Sequence, residues 1–142
     1  MSDETKPKKL SIKIILALFI LAVGAVQLYR FYWPVVTVVL ADQTLKVEVA
    51  NNGYRHTKGL GGRDTIGKYD GMLFIFSDSA EYAFIMRDTR FPIDIIWFNQ
   101  GKVVDIAPNV QPEPGVAEAD LRRYAPRKPA NAVLEVPAGW TE

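Results

Sequence analysis

The chain has 142 residues, enough for about one domain, with 17 Lys and Arg against 16 Asp and Glu for a net charge of +1. It has no cysteine and one histidine, His56. That excludes disulfides, thiol catalysis, cysteine-held zinc and the multi-histidine sites of catalytic zinc.

Charge is unevenly placed. Residues 1–30 carry +3 and residues 31–142 carry −2. The main body therefore lacks the basic excess of a nucleic-acid-binding domain. The first element runs from Ile12 to Leu28 and is apolar except for Lys13 and Gln27. Lysines precede it, and the aromatic cluster Tyr29 to Trp33 follows it. A membrane span needs roughly 20 apolar residues, aromatic side chains favour the interface, and flanking lysines stay in the cytoplasm. This predicts a cytoplasmic basic tail over 1–11, a transmembrane anchor over 12–33 and an extracytoplasmic domain over 34–142. A cleaved signal peptide is the alternative, because Ala22 to Gly24 resembles a small-residue cleavage site; the domain would then be secreted.

After Pro34 the chain reads as strands. Val35 to Leu40 is β-branched, and Leu45 to Val49 alternates apolar and polar as a half-buried strand does. Tyr54 to Arg63 is polar, with room for one helical turn. Met72 to Phe76, Glu81 to Met86, Ile93 to Phe98, Lys102 to Ala107 and Ala132 to Val136 are the remaining strand candidates. Asn99 to Gly101 makes a compact turn between two of them, the clearest hairpin in the chain. Pro108 to Pro114 is a loop, and Val116 to Tyr124 is a short helix or more loop. The pattern predicts a mainly β, sandwich- or barrel-like domain of about seven short strands, preceded by one N-terminal transmembrane helix.

Gly62 to Lys68, GRDTIGK, fits the opening of a phosphate-binding loop. That loop requires a buried strand just before the glycines, a helix just after the lysine, and a hydroxyl for magnesium. Here polar residues precede, a turn and a strand follow, and Tyr69 holds the hydroxyl position. No nucleotide partner is expected, and the glycines are read as conformational.

Three stretches, KGLGGRDTIGKYDGMLFIF, YAFIMRDTRFPIDIIWFNQGKVVDI and YAPRKPANAVLEVPAGW, resemble in this order the uncharacterised bacterial and archaeal family called domain of unknown function 192. The resemblance runs from about Val47 to Trp140. Its motif positions are Gly59, Leu60, Gly62, Arg63, Gly71 to Phe74, Phe76, Met86 to Thr89, Pro92, Asp94, Leu134, Glu135 and Gly139. It implies a compact β-rich fold behind a signal or anchor segment, and a further closing strand after the PAG segment. It implies no established activity, so no catalytic or binding residue is carried over. Family members often hold Met where Gly61 stands and Trp where Ile85 stands.

Asp94 is the most informative residue. It lies inside an apolar run, where a carboxylate is costly unless paired or hydrogen-bonded. Arg63, Arg87 and Arg90 are the available guanidinium partners. With Asp88, these residues make a candidate ligand-binding set: Arg63, Arg87, Asp88, Arg90 and Asp94. The structural alternative is a salt bridge without a ligand, or a carboxylate that caps the loop 87–91 through backbone N–H groups. Glu135 alternates with apolar neighbours and is expected to face out of the sheet. His56 lies in a polar segment and is expected to be exposed. The basic run Leu121 to Lys128 reads as a solvated loop. No nucleophile elbow is present, and no catalytic residue, metal or cofactor is assigned.

The reading from sequence is a non-enzymatic binding or accessory module for a cell-envelope glycan or a protein partner. A carboxylate-dependent envelope hydrolase built on Asp94 and Asp88 is one alternative. A structural subunit of a membrane assembly is another. For the topology, a periplasmic reporter enzyme fused after Glu142 should be active, and an inactive fusion would reverse the orientation.

Overall fold

Two hydrophobic patterns divide this chain, one continuous and one broken at short intervals, and they fold as separate units. In this computed structural model residues 11–142 are described; the expected basic tail lies outside them except for Ser11. The two compact units are residues 1–33 and residues 34–142. In the first, α1 spans Ile12–Phe31, 20 residues, which is roughly 30 Å of helix and about the thickness of a hydrocarbon core. Its side chains from Ile12 to Tyr29 are exposed. By length and composition α1 suits a membrane span, and a signal sequence has the same properties.

The second unit is mainly β. Six strands, β1 Val35–Leu40, β2 Gln43–Ala50, β3 Gly71–Ala80, β4 Ile93–Asn99, β5 Lys102–Val110 and β6 Ala130–Pro137, form one sheet in the order β1-β2-β3-β6-β4-β5. The last strand in sequence sits inside the sheet, antiparallel to both β3 and β4. The β1–β2 turn, Ala41-Asp42, and the β4–β5 turn, Gln100-Gly101, both hold two successive residues at positive φ. That geometry matches the twist of the flanking strands. Gly101 announces the second turn, whereas Ala41 carries no such signal.

β2 and β3 pair in parallel, so the chain between them must cross over one face of the sheet. This crossover contains α2, Gly53–Lys58. Asn52 caps it, its side chain accepting from the Arg55 N–H at 3.0 Å, and Gly59 ends it at φ +45°. The His56 Nε2 lies 3.1 Å from both the Ala50 and the Ile75 carbonyls. Both partners accept, so Nε2 carries the hydrogen, and the ring pins α2 to the ends of β2 and β3. His56 is half-buried as a result.

Glu81 to Met86 is the strand candidate that pairs least. It makes one isolated bridge, Phe84 with Tyr124, which leaves six strands. The segment packs over a sheet face instead of beside an edge. Phe84 stands edge-on to Phe74 and Trp97, with ring centroids 4.9 and 6.2 Å away, and the Trp97 Nε1–H donates to the Tyr82 carbonyl at 3.1 Å. Val116 to Tyr124 contains a single 3-10 turn, Glu118–Asp120.

The sheet buries side chains on both faces. Leu45, Val47, Ile96, Phe98, Leu134 and Val136 form the core of the first face. Asp94 lies on that side, opposite Val136, and is fully buried. One carboxylate oxygen accepts from the Asn109 N–H at 2.7 Å and the Gly139 N–H at 3.4 Å. The other accepts from the Thr141 N–H and hydroxyl, both at 2.8 Å. Asn109 reaches it because β5 carries an extra residue between the pairs Ile93–Val110 and Ile95–Ala107. This bulge bends the ladder and puts Asn109 at φ +49°. Asp94 thus ties β4, the β5 bulge and the segment after β6 together. It is held by backbone N–H groups and the Thr141 hydroxyl, of which none belongs to loop 87–91, and among the described residues an arginine is not one of its partners.

Burial raises the Asp94 pKa, but the Asn109, Thr141 and Gly139 hydrogen bonds outweigh it, and the carboxyl is held below its ordinary value. A depressed carboxylate contributes stability above its unfolded pKa and loses it as pH falls through the folded one. Asp94→Ala should lower stability by about 2–4 kcal/mol near neutral pH, since it leaves buried N–H groups unsatisfied. The difference from wild type should shrink below about pH 4 in urea melts followed by circular dichroism.

Candidate functional site

Strand register places four residues side by side on the second face: Glu48 on β2, Met72 on β3, Glu135 on β6 and Ile95 on β4. The next row is Ala50, Phe74, Val133 and Trp97. The crossover and the segment 81–91 lie over these rows and leave a cleft of about 240 Å³. Its walls come from α2 and the glycine loop, His56 to Gly61, and from Phe74, Phe76, Tyr82, Phe84, Arg87 and Thr89; Glu135 is its contribution from β6. The aromatic wall is internally packed. Phe76 stacks on Tyr82 at 3.7 Å and contacts His56 at 4.5 Å between centroids.

The backbone sets this wall tightly. A Cβ on Gly71 would lie 2.5 Å from the Glu135 carbonyl, so only glycine lets β3 approach β6 there. A Cβ on Gly61 would lie 3.0 Å from both the Arg87 and Lys58 carbonyls. Gly62, at φ +77°, donates its N–H to the Asp88 carbonyl at 2.8 Å and joins the glycine loop to the loop after Met86.

Glu135 does not face solvent. It is 6% exposed, because the side that alternation assigns to water is roofed by the crossover. Among the described residues its carboxyl makes no hydrogen bond or ion pair, and because no fully buried oxygen is left without a partner there, the carboxyl is open to the cleft it borders. Burial pushes its pKa up to about 8, against the opposing charge of Arg63. Arg63 donates from Nη1 to Glu48 Oε2.

The sequence candidates fall in different places. Arg87 donates to Glu118 Oε1 at 2.6 Å and to the Thr57 carbonyl, and it lines the cleft. Arg90 pairs with Asp64 at 2.9 Å on the surface. Asp88 sits at φ +53° and, with Arg87 and Arg90, borders a neighbouring recess of about 380 Å³ closed by residues 112–116. Asp94 is on the opposite face of the sheet from Glu135, since it pairs with Val136 and Glu135 pairs with Ile95. The basic run is partly tied down: Arg127 meets Asp105 through Nη2 at 2.6 Å and Nε at 3.0 and 3.1 Å. That pairing holds the Asp105 pKa down at about 2. Among the described residues no three His, Asp or Glu side chains converge as a metal site would require, and a strand, β3, follows Lys68.

Residue-level reasoning on the sequence passed over Glu135, Lys58, His56, Phe76 and Tyr82 as parts of one site. The available signal was the family resemblance. Gly59, Leu60, Phe74, Phe76, Arg87, Thr89 and Glu135 all carry that resemblance and all border the cleft.

Fold and site together define a small single-sheet β domain with one aromatic-walled cleft over its second face. The chain belongs to the family of domain of unknown function 192, described as Uncharacterized ACR, whose model matches residues 36–142. A solved protein of unknown function from Novosphingobium aromaticivorans DSM 12444 is similar over 75% of this chain and 74% of its own, at 30% identity and a TM-score of 0.61. A solved protein from Sinorhizobium meliloti 1021, described as a proposed transcription regulator, is similar over 75% of this chain and 81% of its own, at 27% identity and a TM-score of 0.61. None of the curated proteins compared matches the chain.

The raised pKa of Glu135 has a definite sign. The folded state keeps a proton that the unfolded state releases near 4.5. The contribution of this group is therefore most favourable below about pH 4.5, declines up to about pH 8 and is level beyond. Glu135→Gln should melt at a higher temperature than wild type at about pH 9 and at nearly the same temperature at about pH 4. Equal melting temperatures at both pH values would show that Glu135 is not held protonated.

Proposed function

We propose that the chain is a non-enzymatic binding or accessory module of the cell envelope, held by α1 as a membrane anchor or exported by it as a signal, whose ligand enters the cleft over the second sheet face. The observation that carries this reading is the Glu135 carboxyl, 6% exposed, without a hydrogen bond or ion pair among the described residues and open to the cleft. A carboxyl that borders a cleft with its hydrogen-bonding capacity unused is a placed polar group for a ligand. The aromatic wall and the glycine loop fit the same role, since small-ligand sites combine apolar lining with a few placed polar groups. A hydrolase built on Asp94 and Asp88 has less support, because four hydrogen bonds enclose Asp94 away from any substrate.

The test is a thermal-shift screen of the full chain in detergent micelles against wall fragments, oligosaccharides, short peptides and small organic ions. A ligand at about 100 times its Kd adds roughly 2.7 kcal/mol, a visible shift in a domain this small. The expected hit disappears in Glu135→Leu, which keeps the volume and removes the carboxyl. A hit that survives Glu135→Leu would place the binding elsewhere and overturn the assignment of the cleft.

A further inference from the structure

The charges around the cleft narrow what it can hold, and the argument rests on the cleft being the binding site. Two cations line it, Lys58 and Arg87. Arg87 has one acidic partner, Glu118, at the exposed rim; Lys58 forms no ion pair among the described residues. The groups facing Glu135 from the surrounding elements are Arg63, itself bound to Glu48 of β2, Arg87 from the loop after Met86, and His56 and Lys58 from α2. Its strand neighbours, Met72 and Ile95, are apolar.

A cationic ligand meets like charge here, and it finds aromatic rings engaged with one another instead of free ring faces. A phosphate cradle of the glycine-loop kind is built from free backbone amides. Those of Gly59, Gly61 and Gly62 already donate to the Arg55, Lys58 and Asp88 carbonyls. The volume, about 240 Å³, lies below the roughly 300–1,000 Å³ of drug-sized sites. It leaves room for little beyond a single ring or a short chain against the aromatic wall.

We propose that the cleft binds one carboxylate carried on a compact apolar body, with the Glu135 carboxyl donating a hydrogen bond to it and Lys58 and Arg87 balancing its charge. Two carboxyl groups side by side share one proton, because both cannot ionise at close range. The proton stays on the pair and no covalent bond changes. The carboxylate belongs either to a free organic acid or to the C-terminus of a short peptide, two sources with the same head group.

The experiment uses the full chain in micelles, titrated with propionate, benzoate and dialanine, with propionamide, benzamide and tetramethylammonium as controls. Binding is read by saturation-transfer NMR and thermal shift. At least one carboxylate should bind, and the amides and the cation should not. Benzoate or propionate without dialanine would assign a free acid; dialanine alone would assign a peptide terminus. Affinity should fall about tenfold between pH 6 and pH 9, as the protonated fraction of a group with a pKa of about 8 falls to about a tenth. Glu135→Gln, which still donates an N–H, should bind within a few-fold of wild type with a flat pH profile. Glu135→Leu should not bind, and Lys58→Ala should bind more weakly.

Amides that bind as well as their acids, affinity that rises above pH 8, or no carboxylate binding at millimolar concentration would each overturn the proposal. Binding of the amides or of tetramethylammonium, lost in Glu135→Leu, would leave the cleft as a binding site with a different ligand. Silence from every probe here and in the wider screen would remove both readings.

Discussion

The sheet depends on β6. This strand comes last in the chain and lies between β3 and β4, so without it the fold is two unjoined pieces, β1-β2-β3 and β4-β5. Its residues must satisfy two ladders and two faces at once. Leu134 and Val136 belong to the core of the first face, while Val133 and Glu135 lie on the second. All four are buried. Joining strands so distant in sequence carries a loop-closure cost that only the completed sheet recovers.

The two buried acids show what this arrangement does with charge. Asp94 and Glu135 occupy adjacent strands and opposite faces. Asp94 is wrapped by N–H donors from the β5 bulge and from the segment after β6, and is held ionised. Glu135 receives no hydrogen bond among the described residues, and burial raises its pKa to about 8. The first acid is structural because its surroundings supply all the hydrogen bonds it needs. The second receives none among the described residues and borders the cleft.

The crossover between β2 and β3 links fold to site. A parallel pair obliges the chain to pass over a face, and this chain uses that passage to lay α2 and the glycine loop above Glu135. His56 fixes the passage to both strands, and Gly62 fixes it to the loop carrying Arg87. The cleft is thus bounded by segments remote in sequence, drawn from residues 56–61, 74–76, 82–89 and 135.

Local pattern was enough for much of the fold. β-branched runs, alternation and turn chemistry placed the strands around Val38, Val47, Phe74, Trp97, Asp105 and Leu134, and a continuous apolar run announced α1. These are properties of neighbouring residues, and neighbouring residues determine them. Glu81 to Met86 has strand composition but packs on a face, a choice made by Phe74 and Trp97 beneath it. Glu135 has the pattern of a solvent-facing residue, and Asp94 that of a partner for an arginine or for the N–H groups of loop 87–91. Their actual surroundings come from residues on either side of them in space: the crossover over one, and Asn109 and Thr141 around the other. Alternation reports which side of a strand a residue takes, whereas what covers that side is settled only when distant segments meet.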